Sequence, residues 1–364
     1  MKDFTLRNDT RLLMRNEPVE DLTRLMAGRR VLFVYGGSVK RNGCYDDVVM
    51  AAKNGGAELH ELPGASRELA DIERGICQVK EHDIQLIIGA GGASIMDCAK
   101  LIAFGACHDD VWEYVKGRKN PYGEQRLPLV LMPTYPSSGS EYGLGAVSAD
   151  QRTGDFGTAY GIAADTAILV PRYALSLDSE MTAYTGLVTL VQLSAATLGD
   201  RNPVSYAIGI AVIREVLEAT RRLKENPRDL DARGVIAYGA SISTSSRLGL
   251  GKTENYAYEI YEVEFVPEVL FGAKYRQSLT TIFPRFLTAM APQHGDDIRR
   301  FLRDAFGMEG EVSESERRIV ELFSSLGIPM HFHGHPTLEA ISRIDIETSL
   351  SAAEILDIIK KCTA

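Results

Sequence analysis

The first half of the chain alternates short apolar runs with amphipathic stretches. Arg30-Val-Leu-Phe-Val34 is an apolar run that stops at Gly36-Gly37, and residues 57–62 form a second extended segment. Residues 84–88 give a third run, entering Gly89-Ala-Gly-Gly-Ala-Ser94. Residues 129–132 give a fourth, entering Pro133-Thr-Tyr-Pro-Ser-Ser-Gly-Ser-Glu141. Helical patterns over 71–80 and 95–104 lie between them. This alternation predicts a mostly parallel sheet covered by helices. Ligands of such sheets bind at the carboxyl ends of the strands, and all three Gly/Ser-rich turns fall there.

From about Asp178 the strand signal fades and helical stripes follow. Ile210, Ile213, Leu217 and Thr220 repeat at helical spacing. Ser313 with Glu316 predicts a capping box, with Gly327 and Pro329 ending that helix, and Ser351 with Glu354 predicts a second box. The run from Met181 to Gly199 carries no charge. It holds four Thr, Ser194, Gln192 and Tyr184, so it reads as a buried helix and not as a membrane span. Neither an internal repeat nor a flexible linker is apparent.

Composition narrows the function. Forty Lys and Arg against 49 Asp and Glu give a net charge of −9. An acidic chain without basic blocks lacks the cationic surface that nucleic acids and anionic membranes require. Five scattered Cys show no metal or redox spacing and suit a reducing cytoplasm. The N-terminal stretch has no apolar core, so no signal peptide is expected.

Candidate chemistry concentrates in the turns. Gly89-x-Gly91-x-x-Ser94 nearly fits the dinucleotide pattern, with Ser in place of the third Gly. Such a turn brings backbone N–H groups to a pyrophosphate at a helix N-terminus. The first turn offers Gly36, Gly37 and Ser38, then Lys40 and Arg41, with no acidic residue. That chemistry tolerates a 2′-phosphate and points to NADP(H) in preference to NAD(H). Plain β-turns with a solvated Lys-Arg pair are the structural alternative.

Taken together, these motifs resemble the iron-containing (group III) alcohol dehydrogenases, and most closely their NADPH-dependent butanol dehydrogenase branch. The resemblance runs through Tyr35–Gly43, Gly91-Gly-Ala-Ser-Ile-Met-Asp-Cys-Ala-Lys100, Thr134-Tyr-Pro-Ser-Ser-Gly-Ser-Glu141, Leu248-Gly-Leu-Gly-Lys252, Ile282-Phe-Pro284 and Leu326-Gly-Ile-Pro329. It implies a dehydroquinate synthase-like architecture. An α/β Rossmann-like domain with a parallel sheet, residues 1–178, would precede an all-α domain, residues 179–364. It also implies a cytoplasmic homodimer acting on a small aldehyde, ketone or alcohol. The expected cofactor site comprises Gly36, Gly37, Ser38, Lys40, Gly91, Gly92, Ala93, Ser94, Asp97, Thr134, Ser138 and Gly139.

The family's metal site is the point of departure. Its Asp and three His would fall at Thr189, Leu193, Tyr261 and Tyr275, and Phe156 stands where a Lys borders the nicotinamide. The seven His are residues 60, 82, 108, 294, 331, 333 and 335, so none lies between 108 and 294. Thr and Leu are no substitute ligands and Tyr is an uncommon one, so no metal is expected. His331-x-His333-x-His335 reads as a solvated loop. Without a metal, a general acid must protonate the developing alkoxide, and Tyr261 and Tyr275 are the candidates, with Lys252, Lys274, Arg276, Glu262 and Glu264 nearby. Two other readings remain open. One is a noncatalytic NADP-binding protein, the other a different reaction on the same scaffold.

Overall fold

The computed structural model describes residues 3–363. The chain divides into two compact units. The first holds Arg7–Leu177 together with Ala240–Ser245, and the second holds Asp178–Gly239 and the chain from Ser246 onward.

The first unit is built on six parallel strands. They are β1 (Arg11–Met14), β2 (Arg30–Tyr35), β3 (Glu58–Pro63), β4 (Leu86–Gly91), β5 (Leu129–Pro133) and, after an antiparallel ribbon of β6 (Gly145–Asp150) and β7 (Asp155–Tyr160), β8 (Thr166–Leu169). Their order across the sheet is β1-β8-β5-β4-β2-β3. Apolar residues cover both faces, which is why the strands read as continuous apolar runs. Leu32, Val34, Ile87 and Leu131 belong to one core cluster, shared with the helices Leu69–Glu81 and Ala93–Gly105. Val31, Phe33, Tyr35 and Ile88 belong to the other, shared with the helices Val19–Met26 and Cys44–Gly55. The third expected strand is displaced: it runs from Leu86 to Gly91, so the glycines lie inside it and directly beyond it.

Strand β2 leads to β3 on one side, and the chain then returns to place β4 on the other side of β2. This reversal leaves a crevice at the carboxyl ends of β2 and β4, where open α/β sheets bind ligands.

The second unit is helical. Its central helix, Ser179–Thr197, is buried at every position from Thr182 to Thr197. The Asp178 carboxylate caps it by accepting the Met181 N–H at 2.7 Å. Its hydroxyls are satisfied within the helix: Thr189 donates to the Thr185 carbonyl, Ser194 to Leu190 and Thr197 to Leu193. That internal pairing lets a Thr-rich helix, uncharged beyond Glu180, be buried. Among the described residues no helix is long and apolar enough to cross a membrane. The capping box at Ser351 and Glu354 is present. The one expected at Ser313 and Glu316 is not. That helix runs Val312–Ser325 from an N-cap at Glu311 without a side-chain cap bond. Val312 is 4% exposed, and burying it draws the helix start ahead of Ser313.

Gly186 permits the closest approach in this bundle. A Cβ there would sit 1.9 Å from Thr220 Oγ1 on the helix Pro203–Glu225. Ala gains at most about 1 kcal/mol of helix propensity over Gly. Overpacking costs about 1–3 kcal/mol, so the clash wins. Gly186→Ala is expected to lower the thermal midpoint of unfolding. A midpoint equal to or above wild type in scanning calorimetry would show that the contact has slack.

Candidate functional site

Three turns meet at the crevice. After β2, the Gly36 N–H donates to the Ala90 carbonyl at 3.4 Å, tying the first turn to β4. After β4, Gly92 is the N-cap of the helix Ala93–Gly105. A Cβ on Gly91 would lie 2.6 Å from Ile95, so only glycine fits there. After β5, the Thr134 N–H donates to the Gly91 carbonyl at 2.9 Å. Ser38 Oγ lies 3.4 Å from Thr134 Oγ1, which joins the first turn to the third. Gly37, Lys40 and Ser94 are exposed, and Gly36, Ser38, Gly92, Ala93 and Ser138 are half-buried. The opening N–H groups of a helix have no intrahelical partner and carry the positive end of its dipole, so the start of Ala93–Gly105 suits an anion.

Asp97 and Gly139 do other work. The Asp97 carboxylate is 6% exposed. It accepts from Ser140 Oγ at 2.5 Å and from the Val147 N–H at 3.2 Å, so it braces the turns from within and does not line them. Lys100 has no exposed surface. Its ammonium donates to the carbonyls of Gly143 (2.9 Å) and Gly145 (2.7 Å). Glu141, equally buried, accepts from Ser241 Oγ at 2.6 Å. Burial pushes the Asp97 and Glu141 pKa values up and that of Lys100 down, and the Coulomb attraction of Lys100 for each acid works against those shifts. Gly139 adopts φ +67°, and a Cβ on it would lie 2.1 Å from the Ala240 carbonyl oxygen. It is glycine for that contact. Sequence reasoning missed Lys100 and Glu141 as a buried pair. Their signal was a charge on each of two motifs that otherwise read as cofactor turns.

In the helical unit the expected metal positions hold no ligand set. The Thr189 hydroxyl is turned to its own helix, and Leu193 is a fully buried apolar side chain. Tyr261 is half-buried, its ring 6.3 Å from that of Tyr258. Tyr275 receives the Gln192 amide N–H at 3.3 Å, and burial raises its pKa, with the nearby Glu264 charge adding to the rise. Among the described residues no group of three or more His, Cys, Asp or Glu could hold a metal ion. The residues present therefore do not fit the iron or zinc that the resemblance implies. Lys252 donates to the Ala195 carbonyl at 2.6 Å and lies 4.1 Å over the Tyr258 ring. Burial pulls its pKa down to about 8. Arg276 stacks on Tyr184, Lys274 caps the helix that begins at Tyr275, and Phe156 is exposed on β7. His331, His333 and His335 are exposed. Gln192 was missed as a partner of Tyr275, although a lone amide in the charge-free run from Met181 to Gly199 was its trace in the sequence.

Residues 9–175 match the iron-containing alcohol dehydrogenase family. A probable NADH-dependent butanol dehydrogenase of Bacillus subtilis is 27% identical over 94% of this chain and 93% of its own. An NADPH-dependent aldehyde reductase of Escherichia coli is 26% identical over 91% of this chain and 88% of its own. The crystal structure of an NADH-dependent butanol dehydrogenase A from Thermotoga maritima shares the fold. Its TM-score is 0.88 at 23% identity, over 100% of this chain and 99% of that one. The fold and the turns define an alcohol dehydrogenase-like oxidoreductase. Within that class, residues 9–175 resemble the iron-containing alcohol dehydrogenases, and butanol dehydrogenases are among the similar proteins.

Lys100 gives the site's stability test. Lys100→Met would leave two carbonyls without a donor and two buried carboxyl groups without a counter-charge. Breaking such a set costs about 3–5 kcal/mol. Chemical denaturation is expected to show that loss, together with weaker dinucleotide binding. A variant as stable as wild type would mean that both acids are buried neutral and that the Gly143 and Gly145 carbonyls find other donors.

Proposed function

We propose that this chain transfers hydride between NADP(H) and a small aldehyde, ketone or alcohol, and does so without a metal, as a cytoplasmic homodimer. The observation that carries the reading is the convergence of three Gly/Ser turns on one crevice of a parallel sheet. The N–H groups at the start of Ala93–Gly105 would hold the pyrophosphate, with Thr134 and Ser138 beside it. Gly37, Ser38 and Lys40 would face the adenosine ribose. Asp97 and Gly139 would position these turns without touching the dinucleotide. Five free cysteines are consistent with a reducing compartment.

Hydride arriving at a carbonyl carbon leaves an alkoxide that needs a proton. Tyr275 is the proposed donor. The Gln192 amide donates to its phenol oxygen, which orients the hydroxyl proton outward and stabilises the phenolate left after transfer. The raised pKa keeps the phenol protonated at neutral pH. Tyr261 is the alternative acid. The missing ligand set supports a second reading, a noncatalytic NADP-binding protein.

Fluorescence titration should give a lower Kd for NADPH than for NADH, and equal values would remove the assignment of Ser38 and Lys40. Elemental analysis should find no stoichiometric iron or zinc, and chelators should leave turnover unchanged. Losing a general acid costs about 10²–10⁴-fold in rate. Tyr275→Phe should fall in that range with unaltered NADPH binding, because the ring stays and only the hydroxyl goes. Full activity in Tyr275→Phe, in Tyr261→Phe and in the double variant would reduce both residues to packing. NADPH binding with no turnover across an aldehyde and ketone panel would put the noncatalytic reading first.

A further inference from the structure

The turn after β2 is backed by an assembly that the expected cofactor contacts do not explain. Glu61, on β3, is paired in register with Phe33 on β2 and so shares a sheet face with Phe33 and Tyr35. Both of its carboxylate oxygens are engaged. The Tyr35 hydroxyl donates to Oε2 at 2.5 Å, and the Tyr45 hydroxyl donates to Oε1 at 2.9 Å. Tyr35 is 2% exposed and Tyr45 is half-buried, with ring centroids 5.6 Å apart. The Lys40 ammonium lies 4.8 Å from the Tyr45 ring centroid and 5.6 Å from that of Tyr35. The two rings thus carry a cation on their faces while their hydroxyls hold an anion.

This arrangement bears on cofactor choice. In dinucleotide folds, an acidic side chain at the carboxyl end of a strand accepts the ribose 2′-hydroxyl and repels a 2′-phosphate. Glu61 has the chemistry for that role, yet its two oxygens already accept phenols. A cation held on an aromatic face is ordered before a phosphate arrives. The Glu61 charge raises both phenol pKa values, with burial leading at Tyr35, so the hydroxyls remain donors at neutral pH.

We propose that Tyr45 determines cofactor selectivity. Its hydroxyl withdraws the Glu61 carboxylate from the ribose, and its ring holds the Lys40 ammonium for a 2′-phosphate. The proposal rests on the reading that the adenosine ribose lies at the Gly37–Lys40 turn. A packing role alone would need the ring and not the hydroxyl, and Phe33 in the same cluster has none.

The test measures Kd for NADPH and NADH with wild type, Lys40→Ala, Tyr45→Phe, Glu61→Gln and the Tyr45→Phe/Glu61→Gln double variant. Tyr45→Phe keeps the ring and frees one carboxylate oxygen. The ratio of Kd for NADPH to Kd for NADH should rise about tenfold, the scale of one hydrogen bond to a charged group. Adding Glu61→Gln should cancel that rise, because the freed group is then neutral. Glu61→Gln alone should leave the ratio within about twofold of wild type. If Lys40→Ala weakens NADPH alone while Tyr45→Phe leaves the ratio unchanged, the ribose placement stands and the selectivity role of Tyr45 is overturned. A rise in Tyr45→Phe that persists in the double variant overturns it too, since Glu61 would not be its source. If Lys40→Ala weakens neither cofactor, the ribose placement fails and the proposal falls with it.

Discussion

The structure of the first unit follows from how closely one helix approaches one strand. A Cβ on Gly89 would lie 2.6 Å from the Ala99 Cβ, and a Cβ on Gly91 would lie 2.6 Å from Ile95. With glycine at both positions, Ala93–Gly105 packs down on β4 and is buried at every residue from Ile95 onward. The other flank is matched, because Gly75 and Gly105 leave room for Ile102 and Ile76. Close packing places the free N–H groups of the helix at the level of the strand ends. The same packing carries Asp97 and Lys100 inside, where each needs an internal partner. Those partners are on the third turn and the ribbon after it: Ser140, Gly143, Gly145 and Val147. One steric constraint therefore yields the anion-suited helix start, the buried charges and the anchoring of the turn after β5.

Strands β2, β4 and β5 were legible because each is apolar on both faces and leads into a Gly/Ser/Pro-rich turn. The strands β1 and β8 were not. Four residues such as Arg11-Leu-Leu-Met14 carry no period, and only pairing with a neighbour makes them strands. The ribbon of β6 and β7 was missed for a different reason. Gly145–Asp150 and Asp155–Tyr160 together hold six Gly, Ser, Thr or Asp residues, and their pairing depends on each other. The glycines of the turns were legible from spacing alone. The role of Asp97 was not, since a carboxylate that braces a turn and one that lines it look alike in sequence. The capping box at Ser351 was readable because nothing competes with it locally, whereas at Ser313 the burial of Val312 overrode the cap.

The second unit shows how a long helix without charged side chains along its buried length is packed. With Thr at 189 and Leu at 193, the buried helix Ser179–Thr197 holds no ionisable group between Thr182 and Thr197 except the Tyr184 phenol. Its polar atoms turn inward to the backbone. What faces Tyr275 from this helix is Gln192, a neutral amide. A neutral donor can be buried at small cost when hydrogen-bonded, whereas an isolated charge cannot. Threonine at 189, leucine at 193 and tyrosine at 275 are therefore self-consistent as a packing solution.

It is also consistent chemically. A metal stabilises an alkoxide by Coulomb attraction at a fixed point, and a phenol stabilises it by giving up a proton. The second route works best when the acid keeps its proton until the alkoxide forms, and burial of Tyr275 favours its neutral form. The Gln192 amide then favours the phenolate once the proton has gone, because an N–H donor to oxygen binds the anion more strongly than the neutral phenol. Were Tyr275 the acid, burial and the amide would act on opposite sides of the same transfer.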